Sequence, residues 1–181
     1  MNRKVRRHRR GFTLIEMIIV LVIIAVVVPT VMVGLNTLVI QSNRAEKITV
    51  ATDLARYYIE LALSKRFDEV IPGPLVFEPV NWTDPGSLGP EGEAGIDNFD
   101  DVDDFDGFAQ NPIIFSDGMT FDGYSLAMTV QYWTDTGGGG QVGIWDTTPS
   151  AVETNAKHIR VVVNHSLIGD VTLDCVTGAL Y

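Results

Sequence analysis

Five carboxylates within seven residues form the densest group of side chains in this sequence that could bind a cation. Calcium takes six to eight oxygen ligands, and acidic loops often supply them. An EF-hand loop needs oxygen donors at alternate positions, but when Asp101 is counted as the first of them the third is Phe105. The sequence favours a solvated acidic turn anchored by Val102, Phe105 and Phe108, and it leaves a calcium site as the alternative. The carboxylates concerned are Asp100, Asp101, Asp103, Asp104 and Asp106.

A carboxylate of a different kind lies near the start of the chain. Glu16 is the only charged residue between positions 12 and 40, a segment rich in Ile, Val, Leu and Met. In a membrane interior such a group costs about 2.5–3.5 kcal/mol on insertion scales. Glu16 therefore marks a functional position that needs a partner.

The other reactive residue types form no recognisable catalytic group. His158 and His165 lie seven residues apart, on opposite faces of a predicted strand, so we expect no shared metal site. Cys175 is the only cysteine, which excludes an intramolecular disulfide, and we expect it to be buried in a strand. The sequence has no nucleophile elbow and no Gly-rich phosphate loop. We therefore expect no enzyme activity and no cofactor apart from the calcium alternative.

Charge is distributed unevenly along the 181 residues. Six of the thirteen Lys and Arg residues precede Gly11, which leaves seven against twenty-three Asp and Glu in the rest of the chain. A body this acidic is repelled by nucleic acid phosphates, so we expect no nucleic acid partner. The basic tip can instead contact anionic lipid headgroups.

The segment that carries Glu16 is long enough to be a membrane helix. Residues 12–40 would span about 43 Å as a helix, more than the ~30 Å hydrocarbon core requires. The flanking charges place the N-terminus in the cytoplasm and the body on the opposite side of the membrane. A secretory signal peptide is the weaker hypothesis, because its apolar region has about 7–15 residues and ends in a small-residue cleavage site.

The helix is predicted to continue to about Arg66. Apolar residues recur there at steps of three and four, and the downstream body must cover the stripe that they form. In the membrane half, Pro29 removes a backbone donor and Gly34 lowers helix propensity. These two residues predict a kink or a short melted segment between about residues 25 and 36. The predicted stripe consists of Ile48, Ala51, Leu54, Ala55, Tyr58, Leu61 and Ala62.

The rest of the chain has a turn-rich part and a strand-rich part. Gly and Pro punctuate residues 68–122, where isolated hydrophobics such as Trp82 and Phe99 are predicted to pin the segment to the helix. Period-two alternation begins at Tyr124 and recurs around Val161 and Leu173, as in an antiparallel sheet with one buried face. The predicted fold class is α+β: one long N-terminal helix whose outer half packs on a small C-terminal antiparallel sheet.

The start of the chain resembles the signal of type IV pilins and pseudopilins. A basic leader precedes Gly11-Phe12-Thr13-Leu14-Ile15-Glu16, and the apolar helix follows. The resemblance implies that a membrane-embedded prepilin peptidase cuts between Gly11 and Phe12 and N-methylates Phe12. The new amine would be the partner of Glu16, within the chain or on an adjacent subunit. At 4 Å and an effective dielectric near 20, such a pair is worth about 4 kcal/mol gross.

Two segments of the body, residues 65–69 and 97–107, resemble the minor pilin D family of mannose-sensitive haemagglutinin (MSHA) pili. The strands that begin near Tyr124 are similar to that family too. The resemblance implies a minor pilin that leaves the inner membrane through an assembly platform and joins or primes a surface filament of other pilin subunits. A pseudopilin of a type II secretion system is one alternative, and a membrane-anchored periplasmic binding module is another.

These observations divide the chain into four segments. Residues 1–11 are a basic leader that is removed, and residues 12–40 are the membrane and filament-core half of the helix. Residues 41–66 are its amphipathic half. Residues 67–181 are a periplasmic or extracellular body that holds the acidic segment and the sheet.

Overall fold

The structure is a computed structural model that describes residues 13–68, 82–133 and 149–178. The chain divides into two compact units, residues 1–43 and residues 44–181. One helix, α1 (Leu14–Leu63), contributes residues to both. The described part of the second unit also contains a 3₁₀ helix, Asp103–Phe105, and the strands β1 (Ala109–Gln110), β2 (Ile113–Ile114), β3 (Thr120–Phe121), β4 (Tyr124–Tyr132), β5 (Ala156–His165) and β6 (Gly169–Gly178).

The described part of the first unit is helical from Leu14 onward, and its side chains are exposed. By length and composition, α1 is apolar enough over this part to cross a membrane. Large apolar side chains on all sides of a helix are unfavourable in water and favourable in lipid or against other apolar helices. The predicted membrane half is therefore consistent with membrane anchoring.

The helix continues through the two residues that predict a weak point. Residues 25–36 are helical, including Pro29 and Gly34, so the predicted melted segment does not form in this structure. Pro29 has no N–H to offer the preceding turn. The side-chain hydroxyl of Thr30 donates a hydrogen bond to the carbonyl of Val26, in the turn before it, at 2.8 Å. A bend of the helix axis at Pro29 stays a prediction.

Within the second unit, one face of α1 is buried. It contains most of the residues of the predicted apolar stripe. The prediction is wrong for Ile48, which is 42% exposed, and it omitted Ile59, which is 8% exposed. Half of the buried positions are alanines, whose short side chains allow the sheet to approach the helix backbone closely. The buried residues are Ala51, Leu54, Ala55, Tyr58, Ile59 and Ala62.

The helix ends at Leu63, before the predicted end at Arg66. The N–H of Arg66 donates to the carbonyl of Asp100 at 3.3 Å, and the carbonyl of Arg66 accepts from the N–H of Val102 at 2.9 Å. A helical Arg66 would use its N–H inside the helix. The chain therefore leaves the helix early in order to pair with the acidic segment.

The main sheet is antiparallel and has the strand order β1-β4-β5-β6. Its register places Met128 opposite Val161 and Val161 opposite Leu173. Every second residue of β4, from Tyr124 to Tyr132, is buried, as the alternation predicts. The inner face of the sheet and the buried face of α1 share one apolar core. The predicted α+β fold is confirmed.

The turn-rich segment is held down by the aromatic residues that the sequence marks as anchors. Phe99 is buried in the core that contains the buried face of α1, as predicted, but Trp82 is buried against Phe67 and Tyr132 in a separate cluster, so the predicted contact of Trp82 with the helix is wrong. The ring of Phe99 packs edge-on against Phe105 and Phe108, with centroid distances of 5.1 and 5.7 Å. β2 and β3 pair with each other in a separate two-stranded sheet. The described part of the segment, residues 82–122, is thus part of the body's core and not a free linker.

We expect Tyr58→Phe to lower the free energy of unfolding by about 0.5–1.5 kcal/mol. The side chain is buried, and its hydroxyl donates to Oε1 of Gln110 at 2.9 Å. Burial raises the pKa of Tyr58 to about 12, which keeps the hydroxyl a donor. Urea unfolding of the full chain in detergent measures the effect. Tyr57→Phe is the control, because the Tyr57 side chain is 42% exposed, and an equal loss in both variants would contradict this role.

Candidate functional site

The first candidate site is the start of α1. Gly11 and Phe12, the predicted cleavage and methylation site, lie outside the described residues. Glu16 lies in the first turn of the helix, and its N–H donates to Oγ1 of Thr13 at 3.4 Å. Thr followed three residues later by Glu is the pattern of a capping box, and a carboxylate in the first turn interacts favourably with the positive helix end. The Thr13-x-x-Glu16 spacing could have predicted this cap from the sequence.

The second candidate site is built around a lysine without solvent exposure. Lys157 lies near the start of β5, opposite Tyr132 of β4, and its side chain is fully buried. Its Nζ donates to Oδ1 of Asp103 at 2.9 Å and to Oδ2 of Asp68 at 3.3 Å. It also donates to the carbonyl of Phe67 at 2.6 Å. Each of the three ammonium protons therefore has an acceptor.

Aromatic side chains enclose this lysine. Nζ lies 4.6 Å from the ring centroid of Phe67 and 5.1 Å from that of Tyr132, within the range of cation–π attraction. The Tyr132 hydroxyl lies 3.2 Å from Oδ2 of Asp68 and 3.0 Å from the carbonyl of Thr83. The N–H of Thr83 donates to the same Asp68 oxygen at 3.0 Å. Burial and the charge of Asp68 raise the pKa of Tyr132, so its hydroxyl stays protonated.

The acidic segment folds around its own carboxylates. Oδ2 of Asp104 accepts the N–H groups of Asp100 and Asp101, at 2.8 and 3.1 Å. Oδ1 of Asp101 accepts the N–H groups of Asp103 and Asp104, at 3.0 and 3.3 Å. Hydrogen bonds from backbone N–H groups to carboxylates are among the strong ones. They set the tight turn that points Asp103 at Lys157.

Burial separates the protonation behaviour of two neighbouring carboxyls. It raises the pKa of Asp101 to about 8, with help from a hydrogen bond to the carboxyl of Asp103 and from the charges of Asp103 and Asp104. Burial also acts on Asp103, but the hydrogen bond from Asp101 and the charge of Lys157 outweigh it and lower the pKa of Asp103. The pair therefore consists of a protonated Asp101 and an ionised Asp103 at neutral pH.

The interpretation as a solvated turn is wrong for three of the five aspartates. Asp101, Asp103 and Asp104 are at most 3% exposed. The predicted anchors Val102 and Phe105 are buried as expected, so both kinds of side chain point inward. The reason is that the turn supplies N–H donors and β5 supplies Lys157, which together replace the water that the carboxylates would otherwise need.

The structure does not bring all five carboxylates together. Asp100 and Asp104 approach Glu93, with ligand oxygens within 4.8 Å of one another. Asp103 is paired with Lys157, and Oδ1 of Asp106 accepts the N–H of Val130 in β4 at 2.8 Å. Calcium binding by this segment stays a prediction. Calorimetric titration of the chain is its test, and no heat at millimolar calcium would reject it.

Sequence reasoning missed the two residues that complete the site, Lys157 and Asp68. A signal for Lys157 was present, because it extends the buried alternation of Ile159, Val161 and Val163 by one step. A charged residue on the apolar face of a strand needs a buried counter-charge. No comparable pattern marks Asp68, which lies 89 residues earlier in the chain.

The remaining reactive residues are placed as follows. Cys175 lies in β6 as predicted, but it is only half-buried, and burial raises the pKa of its thiol. His158 and His165 lie on opposite faces of β5 as predicted. Nε2 of His158 lies 3.1 Å from Oδ1 of Asp174, whereas His165 packs on the ring of Tyr124 with a centroid distance of 4.5 Å. The two histidines do not share a site.

Comparison with known proteins bears on the first site. Residues 6–28 match the family model of the prokaryotic N-terminal methylation motif, a region that contains Gly11, Phe12 and Glu16. The match supports a type IV pilin-like or pseudopilin-like subunit, and it implies processing by prepilin peptidase and assembly with other pilins. No curated protein and no solved structure matches the chain.

We expect Asp101→Asn to flatten the pH dependence of stability between about pH 4 and pH 8. The pKa of Asp101 is about 8 in the folded chain and about 3.9 in an unfolded one, so folding takes up a proton and its free energy gain is lost as the pH rises through this window. Asparagine keeps the oxygen that accepts the two N–H groups. Urea unfolding of both chains at several pH values measures the difference.

The control for this experiment is Asp122→Asn, which changes an exposed carboxylate outside the cluster. The free energy of unfolding of this control should change with pH in the same way as that of the unchanged chain. An Asp101→Asn variant that also follows the unchanged chain would contradict a protonated, buried Asp101.

Proposed function

We propose that this chain is a minor pilin of a type IV pilus of the MSHA kind, a structural subunit and not an enzyme. The observation that carries the proposal is the methylation motif at residues 6–28, joined to an exposed apolar helix with Glu16 in its first turn. A helix with apolar side chains on every side suits the core of a filament, where neighbouring subunits replace lipid.

Processing and assembly depend on the same charges. Cleavage after Gly11 removes six of the thirteen basic residues. It leaves the amine of Phe12 four residues before Glu16, the carboxylate in the first turn of the helix. That amine, or the amine of an adjacent subunit, compensates Glu16 when the helix leaves the bilayer. The partners are prepilin peptidase, the inner-membrane assembly platform and other pilin subunits. The chain is inserted in the inner membrane with its body in the periplasm, and it then moves into a surface filament.

The choice of pilus type rests on the body. The described residues of the two segments that resemble MSHA minor pilin D, 65–68 and 97–107, come together at Arg66 and Asp101, which form a parallel β-bridge. Asp68 and Asp103, one from each segment, both hold Lys157. The resemblance therefore falls on one structural unit and not on scattered positions. A pseudopilin of a type II secretion system is the second candidate, favoured by the same N-terminal motif.

Mass spectrometry of the mature N-terminus tests the proposal directly. We expect the chain from membranes or filaments to begin at Phe12 and to carry one methyl group on its amine. An intact leader, or a start near Asn36, would contradict a pilin-like role. Recovery of the chain in sheared surface filaments supports the pilus, whereas its loss from filaments together with a defect in protein secretion supports the pseudopilin.

We expect Glu16→Gln and Glu16→Ala to reduce incorporation into filaments by about tenfold or more, equivalent to about 1.4 kcal/mol. Both variants remove the charge, but glutamine retains the ability to complete the capping box with Thr13. Quantitative immunoblotting of sheared filaments, normalised to membrane levels, measures incorporation. Glu46→Gln, a change at another exposed helix position, is the control. Full incorporation of Glu16→Gln would show that the charge is not required.

A further inference from the structure

We propose that Lys157 and Asp103 condense in the folded body to form an intramolecular amide, an isopeptide bond between β5 and the acidic segment. The hydrogen bond between them places Nζ 2.9 Å from Oδ1 of Asp103, and the carbon that Nζ would attack, Cγ, is bonded to that oxygen. Reacting atoms about 3–3.5 Å apart and fixed in orientation have a very high effective concentration. Amide formation between a free amine and a carboxylate is slow in water, and this fixed geometry removes much of that barrier.

The surroundings of the pair favour the reaction in a second way. The side chains of Lys157, Asp68 and Asp103 have at most 2% of their surface exposed, and the Phe67 and Tyr132 rings lie within about 5 Å of Nζ. Lysine attacks as the neutral amine, and the two carboxyl groups that accept from Nζ are within reach of the proton that must leave it. Exclusion of water also protects the product, because hydrolysis would need a water molecule at the same buried carbon.

Two further carboxyls are in place to carry the protons. Asp68 accepts a hydrogen bond from Nζ at 3.3 Å, so it can take the first proton of the ammonium. Asp101 lies beside Asp103, whose N–H donates to Oδ1 of Asp101 at 3.0 Å, and burial raises the pKa of Asp101 so that it carries a proton. Asp101 can therefore protonate the Asp103 carboxylate and make it a better electrophile.

The atoms of the step balance without any oxidant or co-reactant. The Nζ–Cγ bond forms and one Cγ–O bond of Asp103 breaks. One ammonium proton passes through Asp68 to the departing oxygen, and a second proton from nitrogen replaces the one that Asp101 gave. The products are the amide and one water molecule, while Asp68 and Asp101 return to their starting states.

The geometry selects Asp103 over Asp68 as the electrophile. Asp103 is the closer of the two to Nζ, and it has the carboxyl partner that can activate it. The carboxylate of Asp68 instead accepts from the N–H of Thr83 and lies beside the Tyr132 hydroxyl. Asp68 and Asp101 are positioned as the base and the acid of the reaction.

The test is the mass of the folded full chain, purified from membranes in detergent and then digested with trypsin. No Lys or Arg lies between Arg66 and Lys157. An unmodified chain therefore yields a peptide of residues 67–157. A modified lysine blocks cleavage, and we expect a peptide of residues 67–160 that is lighter than its sequence by about 18 Da, one water. Further digestion and fragmentation locate the bond at position 103 or 68.

Three variants make the result specific. Asp103→Asn should lose about 17 Da, one ammonia, if the amide still forms. Lys157→Arg should restore cleavage at position 157 and the full mass. Asp101→Asn should slow the appearance of the lighter species after refolding from urea, since it removes the acid and keeps the backbone contacts. A folded, unsubstituted chain with full mass and cleavage after Lys157 would overturn the proposal, whether or not the variants fold.

Discussion

The ammonium of Lys157 has no access to water, and three separate parts of the body supply what it needs in place of water. Asp68 and the Phe67 carbonyl come from the segment after α1, Asp103 comes from the acidic turn, and Tyr132 comes from the neighbouring strand. Removing one partner of a buried ion pair costs about 3–5 kcal/mol, a large share of the stability of a small domain. The helix end, the turn and the sheet are therefore held in one arrangement by one charge.

The rest of the acidic segment follows from that requirement. The chain makes a tight turn that presents Asp103 to Lys157. The side-chain oxygens of Asp101 and Asp104 accept the N–H groups that such a turn leaves unpaired. Asp106 then binds the N–H of Val130, at the point where β1 no longer covers the edge of β4. A run of aspartates that looks solvated in the sequence thus acts as a set of internal hydrogen-bond acceptors.

Local patterns predicted much of the fold. The long apolar helix, the alternation in β4 and β5, and most of the buried face of α1 follow from side-chain periodicity, which depends on neighbours in the sequence. The Lys157 site could not be predicted in this way, because its partners lie 54 and 89 residues away. The early end of α1 has the same origin, since Arg66 pairs with Asp100 and Val102 instead of continuing the helix. The predicted burial of Ile48 was wrong because periodicity shows which face of a helix is apolar but not how far along the helix the sheet covers that face.

The placement of the basic residues also affects how the body withstands digestion. After Gly11, every Lys or Arg lies in α1, in the two positions that pair the helix end with the acidic segment, or in β5. Trypsin-like proteases require an extended, accessible segment around a basic residue. The turn-rich residues 67–156 contain no such residue, and Lys157 itself is buried. A protease that cleaves after basic residues therefore finds no site in the turn-rich part of the body, and its nearest sites are at the helix end and in β5.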